Sequence, residues 1–412
     1  MNEYMTLSET SEYIGKSKET LRRWDKEGKL IAVREPISNY RVYRKSDVDS
    51  LFADFLDENI QETISNYVEP HNEYTVLELF AGAGGLAVGM EKVGLKCVAL
   101  NEIDKWACNT LRKNRPNWNV LEGDIKSFSF TAYKNKVDMV SGGFPCQAFS
   151  YAGKKLGLAD ARGTLFYEFA RVVKEVKPPI CIGENVRGLL SHENGKTLQG
   201  MISILDEIGY NVVPVQVLKA INYNVPQKRE RLILVGIRKD IDLKYEYPKP
   251  FRKVYNLKDA LKKGELFDCD VPKSEGSKYP KSKIDVLRLV PQKGYWRDLP
   301  LDIQKEFMGG SFHLGGGKTG IARRIGWDEP CLTLTCSPAQ KQTERCHPEE
   351  TRPFTVREYA RIQTFPDDWK FEGSVAQQYK QIGNAVPVNL GKEVGYSIIN
   401  FLNSYYNLSK PK

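Results

Sequence analysis

The sequence predicts an α/β fold, in which a parallel sheet is covered by helices on both faces and is accompanied by a smaller irregular lobe. The first observation is that apolar runs alternate with helical periods from residue 74 onward, as in βαβ units. The predicted strands are residues 76–80, 96–100, 119–121, 137–140, 180–184 and 232–235. The predicted helices include residues 165–176 and 196–208. The second observation is the loss of this rhythm at residues 240–350, which are rich in Lys, Pro and Gly.

Composition and charge limit the class of protein. The 412 residues are enough for about two or three domains. A total of 61 basic and 52 acidic residues gives a net charge of +9, which suggests a polyanionic partner. We find neither an apolar run of about 20 residues nor a signal peptide, so we expect a cytoplasmic protein without a membrane partner. The eight cysteines form no CxxC pair, so we expect reduced thiols and no metal site.

The first 60 residues predict a separate small module. Thr6 and Glu9 have the spacing of a capping box at the start of a first helix. A second helix is predicted at residues 18–27 and ends at Gly28, and the short turn between the two helices is typical of a helix-turn-helix. Residues 40–43 alternate like a short strand. A small helical cap whose charges are merely solvated is the alternative.

A family resemblance favours DNA binding by this module. The stretch TLSETSEYIGKSKETLRRWDKEGKL, followed by YRVYRKSDV, resembles the winged helix-turn-helix of excisionase-like and mercury-regulator-like proteins. The resemblance implies that the second helix enters the major groove of double-stranded DNA. We therefore expect a winged helix-turn-helix at residues 1–60 and a polar linker at residues 61–72.

Three successive strand ends of the larger domain predict a nucleoside pocket. The first strand ends in the Gly-rich turn of ELFAGAGG, residues 78–85, where a ligand could approach the backbone at a helix start. Taken alone, this turn is weak evidence, because it is not a GxGxxG motif and a purely structural tight turn is the alternative. Glu102 at the end of the second strand is placed to bind ribose hydroxyls, and Asp124 follows the third strand. No lysine follows the glycines, which excludes a P-loop.

The candidate catalytic residues follow the next strands. Cys146 lies in SGGFPCQ directly after the fourth strand, where a thiol with a lowered pKa could act as a nucleophile. Glu184 ends the next strand, and its carboxyl group could protonate or hydrogen-bond a ring nitrogen. The charged run QKRER at residues 227–231 precedes a further strand. Spacing alone does not decide between a role in the site and ordinary salt bridges for this run.

The ordered motifs resemble those of DNA (cytosine-5) methyltransferases of the restriction-modification type. They are ELFAGAGG, NEID, GDI, GGFPCQAFS, RGTLF, ENV, QKRER, RPFTVREYARIQTFPDDW and QIGNAVPV. The resemblance covers residues 78 to about 390. It implies S-adenosyl-L-methionine as methyl donor, no metal, and a Rossmann-like catalytic domain at residues 73–245. It further implies a target-recognition lobe at residues 246–375 and a segment, 376–412, that returns to the catalytic domain.

The resemblance also assigns residue roles. Cys146 would add to C6 of a flipped-out cytosine, Glu184 would hydrogen-bond N3, Arg231 would hold O2 and Arg229 would orient the catalytic loop. The matching cofactor-contacting positions are Phe80, Gly82, Ala83, Gly85, Glu102, Ile103, Asp124, Ile125, Pro145, Leu165, Asn384 and Val386. Ile103 departs from the pattern, since many members carry Trp there, so we expect weaker stacking on the adenine.

The predicted function is sequence-specific methylation of cytosine C5 in double-stranded DNA. We expect a monomeric, nucleoid-associated bacterial modification enzyme whose cognate restriction endonuclease is a genetic partner. Residues 1–60 would bind operator DNA or add non-specific DNA affinity. One alternative is an RNA cytosine-5 methyltransferase, against which the long lobe and the N-terminal module argue. Another is a DNA-binding regulator with an inactive methylase body, against which Cys146, Glu184 and Arg231 argue.

Overall fold

The chain consists of two compact units, residues 1–65 and 66–412. The structure is a computed structural model. It describes residues 4–14, 18–35, 40–49, 65–145, 164–313 and 318–408. Cys146 and the loop that follows it, residues 146–163, lie outside the described residues.

The first unit combines helices with a small antiparallel sheet of order β1-β3-β2. Its elements are β1 (Tyr4–Thr6), α1 (Leu7–Ile14), α2 (Lys18–Lys26), β2 (Val33–Arg34) and β3 (Arg41–Arg44). The predicted capping box is present, because the backbone N–H of Thr6 donates to Glu9 Oε2 at 2.8 Å and that of Glu9 donates to Thr6 Oγ1 at 3.2 Å. The observed strand β3 begins one residue later than predicted.

The core of the first unit is small. Leu21 and Trp24 of α2 pack with Leu30, Tyr43 and Val48. The carboxylate of the neighbouring Asp25 accepts from the Nε of Arg41 at 2.7 Å and from the backbone N–H of Ala32 at 2.9 Å. These contacts bury one face of α2 and tie it to the sheet. Its basic residues Arg22, Arg23 and Lys26 remain exposed.

The second unit is built on an eight-stranded sheet. Its strands are β4 (Tyr74–Leu79), β5 (Leu95–Glu102), β6 (Val120–Glu122), β7 (Met139–Gly142), β8 (Ile180–Val186), β9 (Tyr210–Val212), β10 (Gln216–Lys219) and β12 (Glu230–Arg238). The order is β10-β12-β8-β7-β4-β5-β6, and β9 also pairs with β12. Two short strands, β11 (Gln227–Lys228) and β13 (Cys331–Leu332), pair in parallel outside this sheet.

The sheet is mixed, which corrects the prediction of a parallel sheet. Strands β6, β5, β4, β7 and β8 are parallel, but β12 runs antiparallel to β8, β9 and β10. The chain reverses direction between β10 and β12, and β12 is inserted between β8 and the pair β9 and β10. An apolar run carries no information on strand direction, so the sequence pattern could not reveal this reversal.

Helices cover both faces of the sheet, as predicted. Alternate strand residues point to opposite faces. Val76, Met139 and Ile182 join one core, whereas Leu77 and Val140 join the other. The first core includes residues of α3 (Gly85–Glu91), α10 (Val356–Ile362) and α12 (Val388–Leu408). The second includes residues of α5 (Leu165–Val176) and α6 (Lys196–Glu207).

The C-terminal helix α12 packs closely against α3. A Cβ atom on Gly89 of α3 would lie 2.5 Å from the carbonyl oxygen of Val388, and one on Gly391 would lie 3.3 Å from the Cα of Leu86. Only glycine allows the two backbones to approach this closely. The contact places the segment before α12 beside the turn that precedes α3.

The predicted lobe at residues 246–375 contributes to two cores. A small separate core contains Tyr279, Leu287, Trp296, Met308, Ile321 and Cys346. The flanking residues Leu257, Phe354 and Tyr359 instead pack into the first core of the large sheet. The guanidinium group of Arg324 holds the irregular loops together, donating at 2.7–2.8 Å to the carbonyl oxygens of Leu287, Val290 and His347. The remaining helices are α4 (Lys105–Asn114), α7 (Leu257–Leu261), α8 (Lys281–Leu287), α9 (Leu301–Met308) and α11 (Val375–Asn384).

Candidate active site

A cavity of about 860 Å³ lies at the edge of the large sheet where the parallel strands end. Ligands bind at this edge in open α/β sheets. All twelve predicted cofactor residues line it, namely Phe80, Gly82, Ala83, Gly85, Glu102, Ile103, Asp124, Ile125, Pro145, Leu165, Asn384 and Val386. Glu184, Arg229 and Arg231 also line it. The structure thus brings together residues that are up to about 300 positions apart.

The turn between β4 and α3 exposes backbone to the cavity. Phe80, Gly82 and Gly84 have φ angles of 56°, 55° and 84°. A Cβ on Gly82 would meet nothing within 4 Å, so this side of the turn is open to a ligand. A Cβ on Gly85, by contrast, would overlap the carbonyl oxygen of Val386. Gly85 therefore allows the far wall of the cavity to close against the start of α3.

Glu102, at the end of β5, is held by three backbone donors. Its Oε2 accepts from the N–H of Gly82 at 2.7 Å, and its Oε1 accepts from the N–H groups of Ile103 and Asp104 at 2.8 Å each. These bonds fix the carboxylate against the glycine turn. Each carboxylate oxygen has two lone pairs, so Oε2, which accepts only one of these bonds, can accept a further hydrogen bond from a ribose hydroxyl group.

The end of the neighbouring strand, β6, is also fixed by hydrogen bonds. The side-chain amide of Asn101 donates to the carbonyl oxygens of Leu121 and Gly123 at 3.0 and 3.1 Å, which joins the ends of β5 and β6. Asp124 follows at this edge and is exposed. Ile103 is 68% exposed and offers an apolar surface to a ring. The two acids and this side chain form the polar and apolar parts of a nucleoside-sized site.

The cavity also contains a buried acid, Glu78 of β4. Its side chain is 2% exposed, and burial raises the pKa of Glu78 to about 8. The backbone N–H of Ala87 donates to this carboxyl group. Its Oε2 atom has no hydrogen-bond partner among the described residues. Glu78 is therefore protonated at neutral pH.

Glu184 and Arg231 form the charged centre of the site. The Nε of Arg231 lies 2.5 Å from Glu184 Oε1, and the two side chains are 10% and 12% exposed respectively. A Cβ on Gly143 would lie 3.0 Å from Glu184 Oε2, so only glycine leaves this oxygen uncrowded. Burial raises the pKa of Glu184, although Arg231 and Arg229 act to lower it. The carboxyl group is thus suited to share a proton with a ligand.

Arg229 is buried and lines the same cavity. Its Nη1 donates to the carbonyl oxygen of Leu334 at 3.2 Å, and its Nη2 donates to that of Gly383 at 2.9 Å. Burial lowers the pKa of Arg229, and the positive charge of Arg231 adds to this effect. Arg229 lies just before β12 and thereby links this part of the chain to the segments around Leu334 and Gly383.

Asn185 anchors the start of the loop that carries Cys146. Its side-chain amide donates to the carbonyl oxygen of Phe144 at 2.8 Å and its Oδ1 accepts from the N–H of Val186 at the same distance. The ring of Phe144 packs edge-on against that of Phe166 at 5.1 Å between centroids. The chain at Phe144, two residues before Cys146, is therefore held in a fixed position.

Sequence reasoning missed several residues that line the cavity. Asn185 lies within the ENV motif and Asp104 within NEID, so proximity to a motif was the available signal. Lys380 lies just before QIGNAVPV and donates to Asp104 Oδ2 at 2.8 Å across the cavity mouth. Glu78 was read only as part of the glycine turn. Its burial depends on packing that no local pattern encodes.

Two kinds of feature are absent from the described part of the chain. In residues 4–14, 18–35, 40–49, 65–145, 164–313 and 318–408, no group of three or more His, Cys, Asp or Glu side chains is placed to hold a metal ion. No helix in these ranges has the length and apolar character needed to span a bilayer.

Comparison with known proteins identifies both units. The family model for C-5 cytosine-specific DNA methylases matches residues 74–400. The model for MerR helix-turn-helix family regulatory proteins matches residues 5–52. The N-terminal unit is thus similar to a MerR-like helix-turn-helix domain.

Curated relatives cover nearly the whole chain. The Type II methyltransferase M.Eco47II of Escherichia coli is 61% identical over 98% of this chain and 97% of its own length. The Type II methyltransferase M.PspPI of a Psychrobacter strain is 55% identical over 94% of each chain. A solved structure of a prophage-encoded DNA modification methyltransferase from E. coli has a TM-score of 0.61, with 21% identity and coverage of 80% of this chain and 100% of that one. The likeness to that structure establishes a mixed α/β methyltransferase fold, and the chain belongs to the C-5 cytosine-specific DNA methylase family.

Proposed function

We propose that the chain is a sequence-specific DNA cytosine-5 methyltransferase of a Type II restriction-modification system and uses S-adenosyl-L-methionine as methyl donor. The relatives at 61% and 55% identity carry the name Type II methyltransferase. The observation that carries the proposal is the buried pair of Glu184 and Arg231 beside the loop that leads to Cys146. A carboxyl group and a guanidinium group at this spacing suit the N3 and O2 atoms of a cytosine ring.

The residues of the cavity fit the proposed cofactor. Glu102 offers its Oε2 atom to a ribose hydroxyl group, and Ile103 offers an apolar surface to the adenine. The open backbone at Gly82 and the unpartnered oxygen of Glu78 suit the polar end of the molecule. When bound there, S-adenosyl-L-methionine supplies an electrophilic methyl group. We propose that all twelve predicted residues contact it.

The reaction requires that the ring of cytosine be activated, because C5 of an aromatic ring is a poor nucleophile. We propose that the cytosine leaves the duplex and that the Cys146 thiolate adds to C6. Glu184, with its raised pKa, donates a hydrogen bond or a proton to N3, and Arg231 hydrogen-bonds O2. Electron density then gathers at C5. After C5 has been methylated, a base removes its proton and the bond between Cys146 and C6 breaks.

Arg229 is proposed to act as a support in this mechanism. Its bonds to Leu334 and Gly383 suit a role in holding the site together. We propose residues 73–245 and 376–412 as the catalytic domain and residues 246–375 as the part that reads DNA. In the latter, the small core around Trp296 would hold the loops that reach the bases.

Bisulfite sequencing tests the proposed function. DNA is taken from a methylation-free host that expresses the chain or its Cys146→Ala variant. We expect cytosines that resist conversion in one short recurring context, and none with the variant. Fully converted DNA from a host with folded protein would refute DNA methylation. Methylated host RNA from the same cells would then support the alternative of an RNA cytosine-5 methyltransferase.

A second role is proposed for residues 1–60, because the MerR-like match and the exposed basic residues of α2 favour DNA binding. This module would bind operator DNA and repress the methyltransferase gene or that of the partner endonuclease. A chain that lacks residues 1–65 should still methylate DNA and should lose promoter binding in a gel-shift assay. Reduced methylation at all sites, with no promoter binding by either protein, would instead indicate non-specific DNA affinity. The enzyme is proposed to act as a monomer at the nucleoid in the cytoplasm.

A further inference from the structure

Two segments remote in sequence meet at the wall of the cavity. Residues 333–336, which follow β13, lie against the end of helix α11 at Gly383 and Asn384. A Cβ on Gly383 would lie 2.7 Å from the backbone nitrogen of Cys336, so the two backbones are in direct contact. The guanidinium group of Arg229 donates to the carbonyl oxygens of both Leu334 and Gly383 and holds them together.

A single side-chain contact completes this junction. The Cys336 thiol donates to Asn384 Oδ1 at a sulphur–oxygen distance of 2.9 Å. Asn384 lines the cavity, whereas Cys336 is not among the lining residues. The Cys336 thiol can therefore affect a ligand in the cavity through the amide of Asn384.

The surroundings of Cys336 favour the thiol as donor. Burial raises the pKa of Cys336, which keeps the sulphur protonated at neutral pH. The positive charges of Arg229 and Lys380 act to lower the pKa of Cys336, but burial is the larger effect. The amide of Asn384 then takes the orientation in which Oδ1 accepts from the thiol and Nδ2 is left for another partner.

We propose that Cys336 is a positioning residue for the cofactor, and that its thiol turns the Asn384 amide so that the Nδ2–H group donates to an acceptor group of S-adenosyl-L-methionine. This inference rests on the proposed function, because it requires that the cavity bind that cofactor. It also gives a physical link between the segment after β13 and the cofactor, since a shift of residues 333–336 would move Asn384.

The test measures binding of S-adenosyl-L-homocysteine by calorimetry, with no DNA and no turnover. Removal of one weak hydrogen bond in Cys336→Ala should weaken binding about three- to tenfold. Cys336→Ser retains a donor and should bind within about twofold of the unchanged chain. The matched control is Cys269→Ser, because Cys269 is the other exposed cysteine of the described residues and does not line the cavity. The control should bind like the unchanged chain.

A double-mutant cycle separates positioning from general loss of structure. In an Asn384→Ala background, Cys336→Ala should cause no further loss of binding, because the amide that it positions is absent. In turnover assays, Cys336→Ala should raise the KM for the cofactor and leave kcat within about twofold.

Three outcomes would overturn the inference. The first is that Cys336→Ala binds the compound as tightly as the unchanged chain. The second is that Cys336→Ser loses as much affinity as Cys336→Ala. The third is that the losses of affinity in the double-mutant cycle are additive. Failure of the unchanged chain to bind the compound would instead refute the proposed cofactor, and the inference with it. If Cys336→Ala does not fold, Cys336→Val takes its place in the same measurements, because its side chain also lacks a hydrogen-bond donor.

Discussion

The buried acid Glu78 makes a specific prediction about stability and pH. An ordinary glutamate has a pKa of 4.5, whereas burial raises the pKa of Glu78 to about 8. The unfolded chain therefore loses this proton near pH 4.5, while the folded chain keeps it until about pH 8. The stabilising effect of the raised pKa is complete below pH 4.5 and is lost progressively as the pH rises through the folded value.

The magnitude follows from the two values. Each pH unit between them lowers the free energy of unfolding by about 1.4 kcal/mol, so the loss at pH 7 is about 3 kcal/mol. Glu78→Gln has the same shape and no titratable proton, and its amide nitrogen replaces the protonated oxygen. We therefore expect the variant to match the unchanged chain near pH 4.5 and to exceed its stability by about 3 kcal/mol at pH 7.

Urea unfolding of both proteins between about pH 5 and 8 checks this prediction. The matched control is Glu73→Gln, since Glu73 lies just before the same strand and its side chain is 67% exposed. The control should unfold in parallel with the unchanged chain at every pH. A stability difference between Glu78→Gln and the unchanged chain that does not grow with pH would refute the reasoning.

Three further predictions concern packing and support. Gly85→Ala should weaken cofactor binding at least tenfold in calorimetry, because the new methyl group overlaps the carbonyl oxygen of Val386; unaltered binding would contradict the geometry. Asn185→Ala removes the donor to Phe144 and should lower kcat about tenfold in a methylation assay with an unchanged circular dichroism spectrum. Leu21→Ala should destabilise the first unit by about 2–5 kcal/mol and abolish promoter binding in a gel shift, while methylation persists.

Local signals in the sequence were sufficient for many elements. The predicted helix at residues 165–176 has the same bounds as α5. Thr164 caps this helix through a bond from the N–H of Tyr167, and Phe166, Phe169 and Val173 repeat on one buried face. Cap and periodicity lie within one short stretch, so reading them requires no knowledge of the remaining fold.

Features that depend on distant residues could not be predicted. The raised pKa of Glu78 results from packing against α3, and the contact of Cys336 with Asn384 joins positions 48 residues apart. The cofactor residues were assigned from family motifs, and spacing alone left the role of QKRER open. Their convergence on one cavity became visible only in three dimensions.

The antiparallel direction of β12 has a consequence for how such sites are located and engineered. Catalytic residues of α/β enzymes are usually expected just past the carboxyl ends of strands. Here, Arg229 lies just before β12 and Arg231 lies at its start. Because β12 runs opposite to β8, Arg231 pairs with Val186 at the very end of β8. In a parallel β12 the arginines would lie at the opposite edge, roughly 25 Å away. A redesign that preserved every motif but reversed this one strand would therefore separate the guanidinium groups from Glu184 and remove the proposed cytosine site.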